Sequence, residues 1–408
     1  MGVGLKFSFI HTADIHLGRA FADVGYNLTD KQKSLLSRAH EDAFDELCEF
    51  AIEKSVDFIL IAGDTFDDCE RDLHSKLKLA RALRRFESEN IAVYMVCGNH
   101  DPQFSYVQEL GFKDSSKINI FGVNRLQEPL VLKDENNCEY AKIFPFGFAD
   151  KFYEQSPCNV LEKASDKTLF NIGLIHCDIQ QGENYAPCTE KELLDLGYDY
   201  YALGHIHRRL ENDKIVYPGT IQARGRKDEG IHGFKYVCVE DKSIVKDEFV
   251  PCDKIRYYND IEYSLANDET QIESFENIRS RLLDLKDDME MIIVTLKLVG
   301  GRNYDKIVYN DLVKELIADN IIVSKINDFS YVNIDVDLIK KSEGLLAEIL
   351  LTLDNKPVMD DIIEATQKEL SDALKMVSNY DLSESLSKVS LKLNDICAQI
   401  YTGGDVNE

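Results

Sequence analysis

The sequence predicts an α/β protein with alternating strands and helices over roughly its first 250 residues, then a small α+β unit and a helical C-terminal segment. Two continuous apolar runs, VDFILIAGD from residue 56 and IAVYMVCGNHD from residue 91, indicate buried strands. Between them, LHSKLKLARALRRFESEN has the periodicity of an amphipathic helix. Such a strand-helix-strand order is typical of a sheet that is covered on both faces.

The other segments of the first 255 residues continue this alternation. KFSFIHTAD, from residue 6, is predicted as a strand, and KQKSLLSRAHEDAFDELCEFAIEKS, from residue 31, as a long amphipathic helix. Later strands are predicted at CEYAKIFPFG, TLFNIGLIHCD, YDYYALGHIH, KIVYPGT and GFKYVCVE.

The pattern changes after about residue 255. A small β-α-β unit is predicted from MEMIIVTLKLVG, NYDKIVYNDLVKELIADN and IIVSKINDFSYVNI, and the pattern is helical from about residue 340. We therefore divide the chain into residues 1–255, 256–338 and 339–400.

Composition predicts a soluble protein of the cytoplasm. The chain has 408 residues, of which 44% are hydrophobic and 29% charged, and it contains no apolar run of the roughly 20 residues that span a membrane. Its first residues lead directly into a strand, so no secretory signal is expected. The ten cysteines include no C-x-x-C pair, and we expect them to be reduced thiols.

The formal net charge of −26 argues against broad, non-specific binding to nucleic acid. Residues 1–255 contain 31 Lys and Arg against 43 Asp and Glu, a net charge of −12; residues 256–408 contain 16 against 30, a net charge of −14. A polyanionic substrate should therefore approach the N-terminal part, where metal ions would offset the carboxylates.

Five polar motifs each lie at or just after the end of a predicted strand. Strand ends at one edge of an α/β sheet converge, so these motifs can form one site. They are Asp14-Ile15-His16, Gly63-Asp64, Gly98-Asn99-His100-Asp101, His176 and Gly204-His205-Ile206-His207.

The donors in these motifs suit a pair of metal ions. Carboxylate, imidazole and amide oxygen together suit Mn, Fe or Zn, and no thiolate of a structural zinc site is present. In an extended segment, residues i and i+2 point to the same side, so Asp14 with His16 and His205 with His207 can each present two ligands. Seven donors suit two adjacent ions that share a bridging carboxylate and act in phosphoryl transfer.

Each motif alone also has a purely structural interpretation. Asp64 can be a turn residue or a helix cap, Asn99 can fill a turn position with positive φ, and His176 can be a hydrogen-bonded core residue. The recurrence of five motifs in one order favours the metal site.

These motifs resemble the calcineurin-like metallophosphoesterases, whose pattern is D-x-H, GD, GNH[DE], H and GHxH. The resemblance covers roughly residues 7–225 and implies a β-sandwich flanked by helices. Within that superfamily, HTADIHLGR, AGDTFDD, CGNHDP and YAPCTEKELLDLGYDYYALGHIHRR are similar to the SbcD/YhaO-type DNA-repair exonucleases.

The resemblance implies two Mn²⁺ ions and a role for each motif residue. One ion would be held by Asp14, His16, Asp64 and His207, and the other by Asp64, Asn99, His176 and His205. His100 would protonate or stabilise the leaving oxygen. Such proteins cleave DNA ends, with 3′-to-5′ polarity, or single strands.

Four further residues are candidates for contacts to DNA phosphates: Arg19, Asp67, Arg208 and Arg224. The arginines lie near ligand motifs, and Asp67 stands where many relatives have a histidine that positions the scissile phosphate. For the arginines, the alternative is a solvated, salt-bridged surface.

The resemblance also implies a partner, a coiled-coil ATPase of the SbcC type. Residues 256–338 correspond in position to a capping domain. The helical segment would dock on the ATPase through Leu345, Leu346 and Ile349, or else would close the chain's own core. The sequence leaves open whether the protein forms a homodimer, and the alternative function is a metallophosphodiesterase acting on a smaller nucleotide.

Overall fold

The fold is mixed α/β, as predicted. In a computed structural model, the described residues are 6–19, 21, 28–67, 73–102, 111–122, 127–180, 184–287, 289–304, 308–332, 340–341, 347–348 and 351. The predicted helices beyond residue 351 and the proposed docking residues Leu345, Leu346 and Ile349 lie outside these residues. Within the described part, no helix is both long and apolar enough to cross a membrane.

The described elements follow the predicted alternation. The helices are α1 (Asp30–Lys54), α2 (Leu73–Ser88), α3 (Glu190–Leu194), α4 (Gln271–Lys286) and α5 (Tyr309–Ala318). The strands are β1 (Lys6–Thr12), β2 (Phe58–Ala62), β3 (Ala92–Val96), β4 (Ile118–Ile120), β5 (Leu130–Lys133), β6 (Glu139–Phe146), β7 (Phe170–His176), β8 (Tyr200–Gly204), β9 (Leu210–Asn212), β10 (Ile215–Tyr217), β11 (Gly233–Glu240), β12 (Ser243–Pro251), β13 (Ile255–Leu265), β14 (Met291–Arg302), β15 (Ile321–Asp328) and β16 (Tyr331–Val332).

Two six-stranded sheets form the larger part of the structure. The first has the order β12-β11-β1-β2-β3-β4, and the second has the order β5-β6-β7-β8-β10-β9. Strands β1, β2 and β3 are parallel neighbours in the first sheet, and β6, β7 and β8 are parallel neighbours in the second. Parallel neighbours end at the same edge, so each sheet collects the loops that follow its central strands.

A large apolar core joins the two sheets. Alternate residues of the first sheet, including Phe9, Phe58 and Leu60, pack in one cluster with Ile172 and Tyr200 of the second. The rings of Phe9 and Phe58 stack with centroids 5.1 Å apart. This packing of sheet against sheet is a β-sandwich, as the resemblance implies.

The outer face of the first sheet is covered by helices. Ile59 and Ile61 of β2 point to the face opposite Phe58 and Leu60, where they cluster with Phe44 of α1. Leu79 and Leu83 of α2 belong to the same cluster. Both faces of β2 are therefore buried, which is why its sequence is a continuous apolar run.

The chain divides into two compact units. The first comprises 1–259, 286–294 and 317–324, and the second comprises 260–285, 295–316 and 325–408, with gaps where residues are not described. Strands β13 to β16 form a four-stranded sheet with the order β13-β14-β15, in which β16 pairs with β14. The β-α-β prediction corresponds to β14, α5 and β15; helix α4 and strand β13 are not among the predicted elements. The three-part division of the chain stays a prediction.

The described cysteines are free thiols, as expected. They are Cys48, Cys97, Cys138, Cys158, Cys177, Cys188, Cys238 and Cys252.

Candidate metal centre

The structure brings the seven predicted ligands together at one edge of the β-sandwich. All of them lie at or just after the carboxyl end of a strand: Asp14 and His16 after β1, Asp64 after β2, Asn99 after β3, His176 at the end of β7, and His205 and His207 after β8. The first sheet therefore supplies four of these side chains and the second sheet supplies three.

The side chains form two groups that share one carboxylate. Ligand atoms of Asp14, His16, Asp64 and His207 lie within 4.8 Å of one another, and so do those of Asp64, His176 and His205. Asn99 completes the second group, because its Oδ1 lies 3.1 Å from His176 Nε2 and 3.0 Å from His205 Nδ1. Asp64 is in both groups, which is the arrangement expected of a bridging ligand.

The second group contains electron pairs that face each other. His176 Nδ1 lies 2.8 Å from the carbonyl oxygen of Ala62, which can only accept a hydrogen bond, so Nδ1 carries the proton. Burial lowers the pKa of His176, so the ring is neutral and its Nε2 has a lone pair. That nitrogen lies 3.1 Å from Asn99 Oδ1 and 3.5 Å from Asp64 Oδ2. A cation among these three donors would satisfy all of them.

The electrostatics of the first group also fit a cation. Burial, reinforced by the charges of Asp14 and Asp101, raises the pKa of Asp64 well above its ordinary value. Burial also lowers the pKa of His16, which keeps this imidazole neutral. His16 Nδ1 and Asp64 Oδ2 are buried without a hydrogen-bond partner. Neutral imidazoles beside destabilised carboxylates are the state that a divalent metal requires and stabilises.

The backbone around the ligands is not extended, contrary to the expectation for Asp14-His16 and His205-His207. Strand β1 ends at Thr12, and Asp14 and His16 have φ angles of 50° and 48°. Asp64 has a φ of 48° and His205 one of 108°. Four of the seven ligands thus have positive φ, a costly conformation that concentrates at functional sites. Asn99 is not among the residues with positive φ.

Two glycines of the motifs allow the loops to approach each other. A Cβ atom on Gly98 would lie 2.1 Å from Asp64 Oδ1, and one on Gly63 would lie 2.4 Å from His176 Nδ1. Gly63 also has a φ of +89°, which favours glycine. The glycine in each motif is therefore required by the close packing of the ligand beside it.

His100 lies beside the first group and contacts Asp67. Its ring centroid is 5.2 Å from that of His16, and its Nδ1 is 3.3 Å from Asp67 Oδ1. Arg19 donates a hydrogen bond of 2.7 Å from Nη1 to Asp67 Oδ2. The Asp67 side chain is only 3% exposed. Its two carboxylate oxygens, one facing His100 and the other bonded to Arg19, orient these two side chains. Contact of Arg19 or Asp67 with a phosphate stays a prediction.

Arg224 lies among the ligands of the first group. It donates hydrogen bonds to His16 Nε2 over 3.2 Å and to His207 Nδ1, and its Nε lies 3.1 Å from Asp228 Oδ2. Burial opposes the ionisation of Asp228, but hydrogen bonds and charge from His207 and Arg224 bring its pKa below the ordinary value. Arg208 is exposed beside the site, and its contact with DNA, like that of Arg224, stays a prediction.

His11 is not part of the donor groups and packs behind the site. It is buried, with its Nδ1 3.1 Å from the Tyr200 hydroxyl and its Nε2 3.1 Å from the carbonyl oxygen of Leu203. Burial lowers the pKa of His11 to about 3.

Asp101 is a site residue to which the sequence assigned no role. Its carboxylate accepts hydrogen bonds from the backbone N–H groups of Thr65 over 2.7 Å, Phe66 over 3.2 Å and Gly98 over 2.8 Å. It therefore ties the loop after β2 to the loop after β3. The only sequence signal was its position at the end of Gly98-Asn99-His100-Asp101.

Replacing Asp101 by alanine is expected to lower the free energy of unfolding by about 3 kcal/mol, because buried N–H groups lose their acceptor. Urea denaturation followed by circular dichroism would measure this loss. The exposed Asp114 provides the control, since Asp114→Ala should leave the midpoint almost unchanged. Equal midpoints for the two variants would contradict the structural role of Asp101.

The fold and the site together define a class of protein. Residues 7–209 match the calcineurin-like phosphoesterase family, which covers both sheets of the sandwich as far as the loop after β8. This chain therefore carries a calcineurin-like metallophosphoesterase domain.

Among individual proteins, the chain is 30% identical over 247 residues to the uncharacterized metallophosphoesterase YhaO of Bacillus subtilis, which covers 58% of each chain. It is 31% identical over 229 residues to the DNA double-strand break repair protein Mre11 of Methanocaldococcus jannaschii, covering 52% of this chain and 56% of that one. The Mre11 protein of Saccharolobus solfataricus is 25% identical over 231 residues, covering 55% and 57%. The matches thus span somewhat more than half the length of these relatives.

Proposed function

We propose that this protein is a metal-dependent phosphodiesterase that cleaves DNA in DNA repair. It would use two Mn²⁺ ions and act as a 3′-to-5′ exonuclease and single-strand endonuclease. The observation that carries the proposal is the pair of donor groups sharing Asp64, since two-metal sites activate water and stabilise both the attacking and the leaving oxygen in phosphoryl transfer.

The chain's own residues have separate tasks in this proposal. Asp14, His16 and His207 would hold one ion and Asn99, His176 and His205 the other, with Asp64 between them. Bound at these positions, the ions would supply Lewis-acid chemistry and neutralise charge on the phosphate.

His100 would donate a proton to the leaving oxygen. Its Nδ1 lies 3.3 Å from Asp67 Oδ1, and this contact orients the ring. The Nε2 atom is then the proton donor, and the side chain is 30% exposed, so a substrate can reach it.

Two considerations support DNA as the substrate. Relatives with matching sequence are named as DNA double-strand break repair proteins. Three arginines, Arg19, Arg208 and Arg224, lie within or beside the donor groups, where they could contact the sugar-phosphate backbone.

The proposal is tested with purified protein and end-labelled DNA. With Mn²⁺, we expect degradation of single-stranded and duplex oligonucleotides with loss from the 3′ end, and no degradation in EDTA. A generic phosphodiester and a phosphomonoester serve as parallel substrates. Hydrolysis of the small esters alone would contradict the nuclease assignment and favour the alternative, a smaller nucleotide substrate.

We also propose that the protein acts in the cytoplasm with a coiled-coil ATPase of the SbcC type, through residues beyond 338. Co-expression with such an ATPase followed by affinity purification tests this, and truncation after residue 338 should abolish co-purification. If the truncated chain still retained the ATPase, the docking surface would have to lie within residues 1–338.

A further inference from the structure

We propose that Phe152 and Tyr185 form a base-stacking surface beside the metal centre, and that the substrate presents an unpaired nucleobase to it. This inference rests on the proposed function and adds the surface that binds an unpaired base of the substrate. The side chain of Phe152 is 53% exposed, so a large apolar ring lies outside the core.

The two rings lie in a row that leads to the metal centre. The ring centroid of Tyr185 is 5.2 Å from that of His205, with an angle of 35° between the planes. The centroid of Phe152 is 5.9 Å from that of Tyr185, at 41°. These distances leave no space for a base between the rings, so a base would stack on the exposed side of Phe152. Two ring-to-ring steps then separate Phe152, on which that base stacks, from the predicted metal ligand His205.

The backbone holds this row in place. Tyr153 N donates a hydrogen bond of 2.9 Å to the carbonyl oxygen of Asn184, and Ala186 N donates one of 2.7 Å to the carbonyl oxygen of Tyr153. The residue after Phe152 is thus paired with the residues on both sides of Tyr185. Tyr153 also packs on Phe146, with ring centroids 5.1 Å apart. A preorganised ring binds its partner without the entropy cost of ordering a loop.

The charge distribution favours a stacked base in addition to ionic contacts. Residues 1–255 have a net charge of −12, and near the site Arg19 is paired with Asp67 and Arg224 with Asp228. The charge of both arginines is thus partly neutralised within the protein, and stacking would add to the binding that their phosphate contacts supply. Stacking on aromatic side chains requires no positive charge and accepts any base, as an end-degrading enzyme would need.

The test compares a single-stranded oligothymidylate with the same oligonucleotide carrying tetrahydrofuran abasic residues at its two 3′-terminal positions. Wild-type protein with Mn²⁺ should hydrolyse the first with about tenfold higher kcat/KM, mainly through KM. Phe152→Leu keeps an apolar side chain but removes the ring, and should bring this ratio close to one. Phe152→Tyr keeps a ring and should restore it. Phe329→Leu, at a residue that is 60% exposed in the second unit, should leave it at about tenfold.

Binding of the two oligonucleotides in EDTA, followed by fluorescence anisotropy, provides a readout that does not depend on activity. The same order of affinities is expected. If wild-type protein cleaves both oligonucleotides but Phe152→Leu leaves both ratios unchanged, the stacking surface is wrong while the nuclease proposal stands, and Phe152 belongs to a protein-binding surface instead. If wild-type protein cleaves neither, the proposed function is wrong, and the binding ratios alone decide whether the rings bind a base.

Discussion

Asp64→Asn is expected to reduce hydrolysis of DNA by more than about a hundredfold, because both donor groups lose the carboxylate that they share. The variant should fold. Asparagine is the same size as aspartate, and its Oδ1 can still accept the hydrogen bond of 2.8 Å from His100 N. Its Nδ2 could donate to the lone pair on His176 Nε2, which lies 3.5 Å from the Asp64 oxygen it replaces.

The effect of Asp64→Asn on stability distinguishes a ligand from a structural residue. Because a buried, destabilised carboxylate is removed, the metal-free variant should unfold at the same temperature as wild type or higher. Mn²⁺ should raise the unfolding temperature of wild type by mass action and should not raise that of the variant. Asp57→Asn, at the opposite end of strand β2, is the matched control and should keep the Mn²⁺ effect. A variant that is still stabilised by Mn²⁺ would show that Asp64 is not a ligand.

His100→Ala is expected to lower kcat by a factor of about 10² to 10⁴, the usual contribution of general acid catalysis. Cation binding should be preserved, since His100 is in neither donor group. Single-turnover cleavage of labelled DNA gives the rate, and the Mn²⁺-induced rise in unfolding temperature reports binding.

His74→Ala provides the control for His100. His74 lies on helix α2 with its side chain 68% exposed, beside Glu41, and its loss should change neither measurement. If His100→Ala cleaved DNA as fast as wild type, His100 would have no part in the reaction. A loss of the Mn²⁺ effect in that variant would instead make His100 a ligand.

The location of the site could be predicted from the sequence, because it depends on strand ends. Continuous apolar runs define β2 and β3, and the polar residues that follow each run are the ones that the structure brings together. The positive φ angles of Asp14, His16 and Asp64 could not be predicted, since aspartate and histidine carry no signal as strong as that of glycine. The assumption of an extended segment therefore predicted correctly that Asp14 and His16 lie in one site, although the backbone that brings them together is not extended.

The partners of charged residues could not be predicted from the sequence either. Asp67 was a candidate for a position near phosphate, but its contacts with Arg19 and His100 come from loops 48 and 33 residues away in the chain. The role of Asp101 depends on backbone N–H groups, which have no sequence signature. Long-range pairing of this kind is decided by tertiary structure and not by local pattern.

Each donor group draws on both layers of the sandwich, since His207 follows a strand of the second sheet while Asp14 and His16 follow one of the first. A cation in either group would therefore connect the two layers at the edge where their strands end. Without cations, the layers are held there by the apolar core and by hydrogen bonds such as the one from His176 Nδ1 to the carbonyl oxygen of Ala62. We therefore expect amide hydrogen exchange at Gly63 and Gly204 to become slower as the concentration of divalent ions rises, because the loops become more rigid.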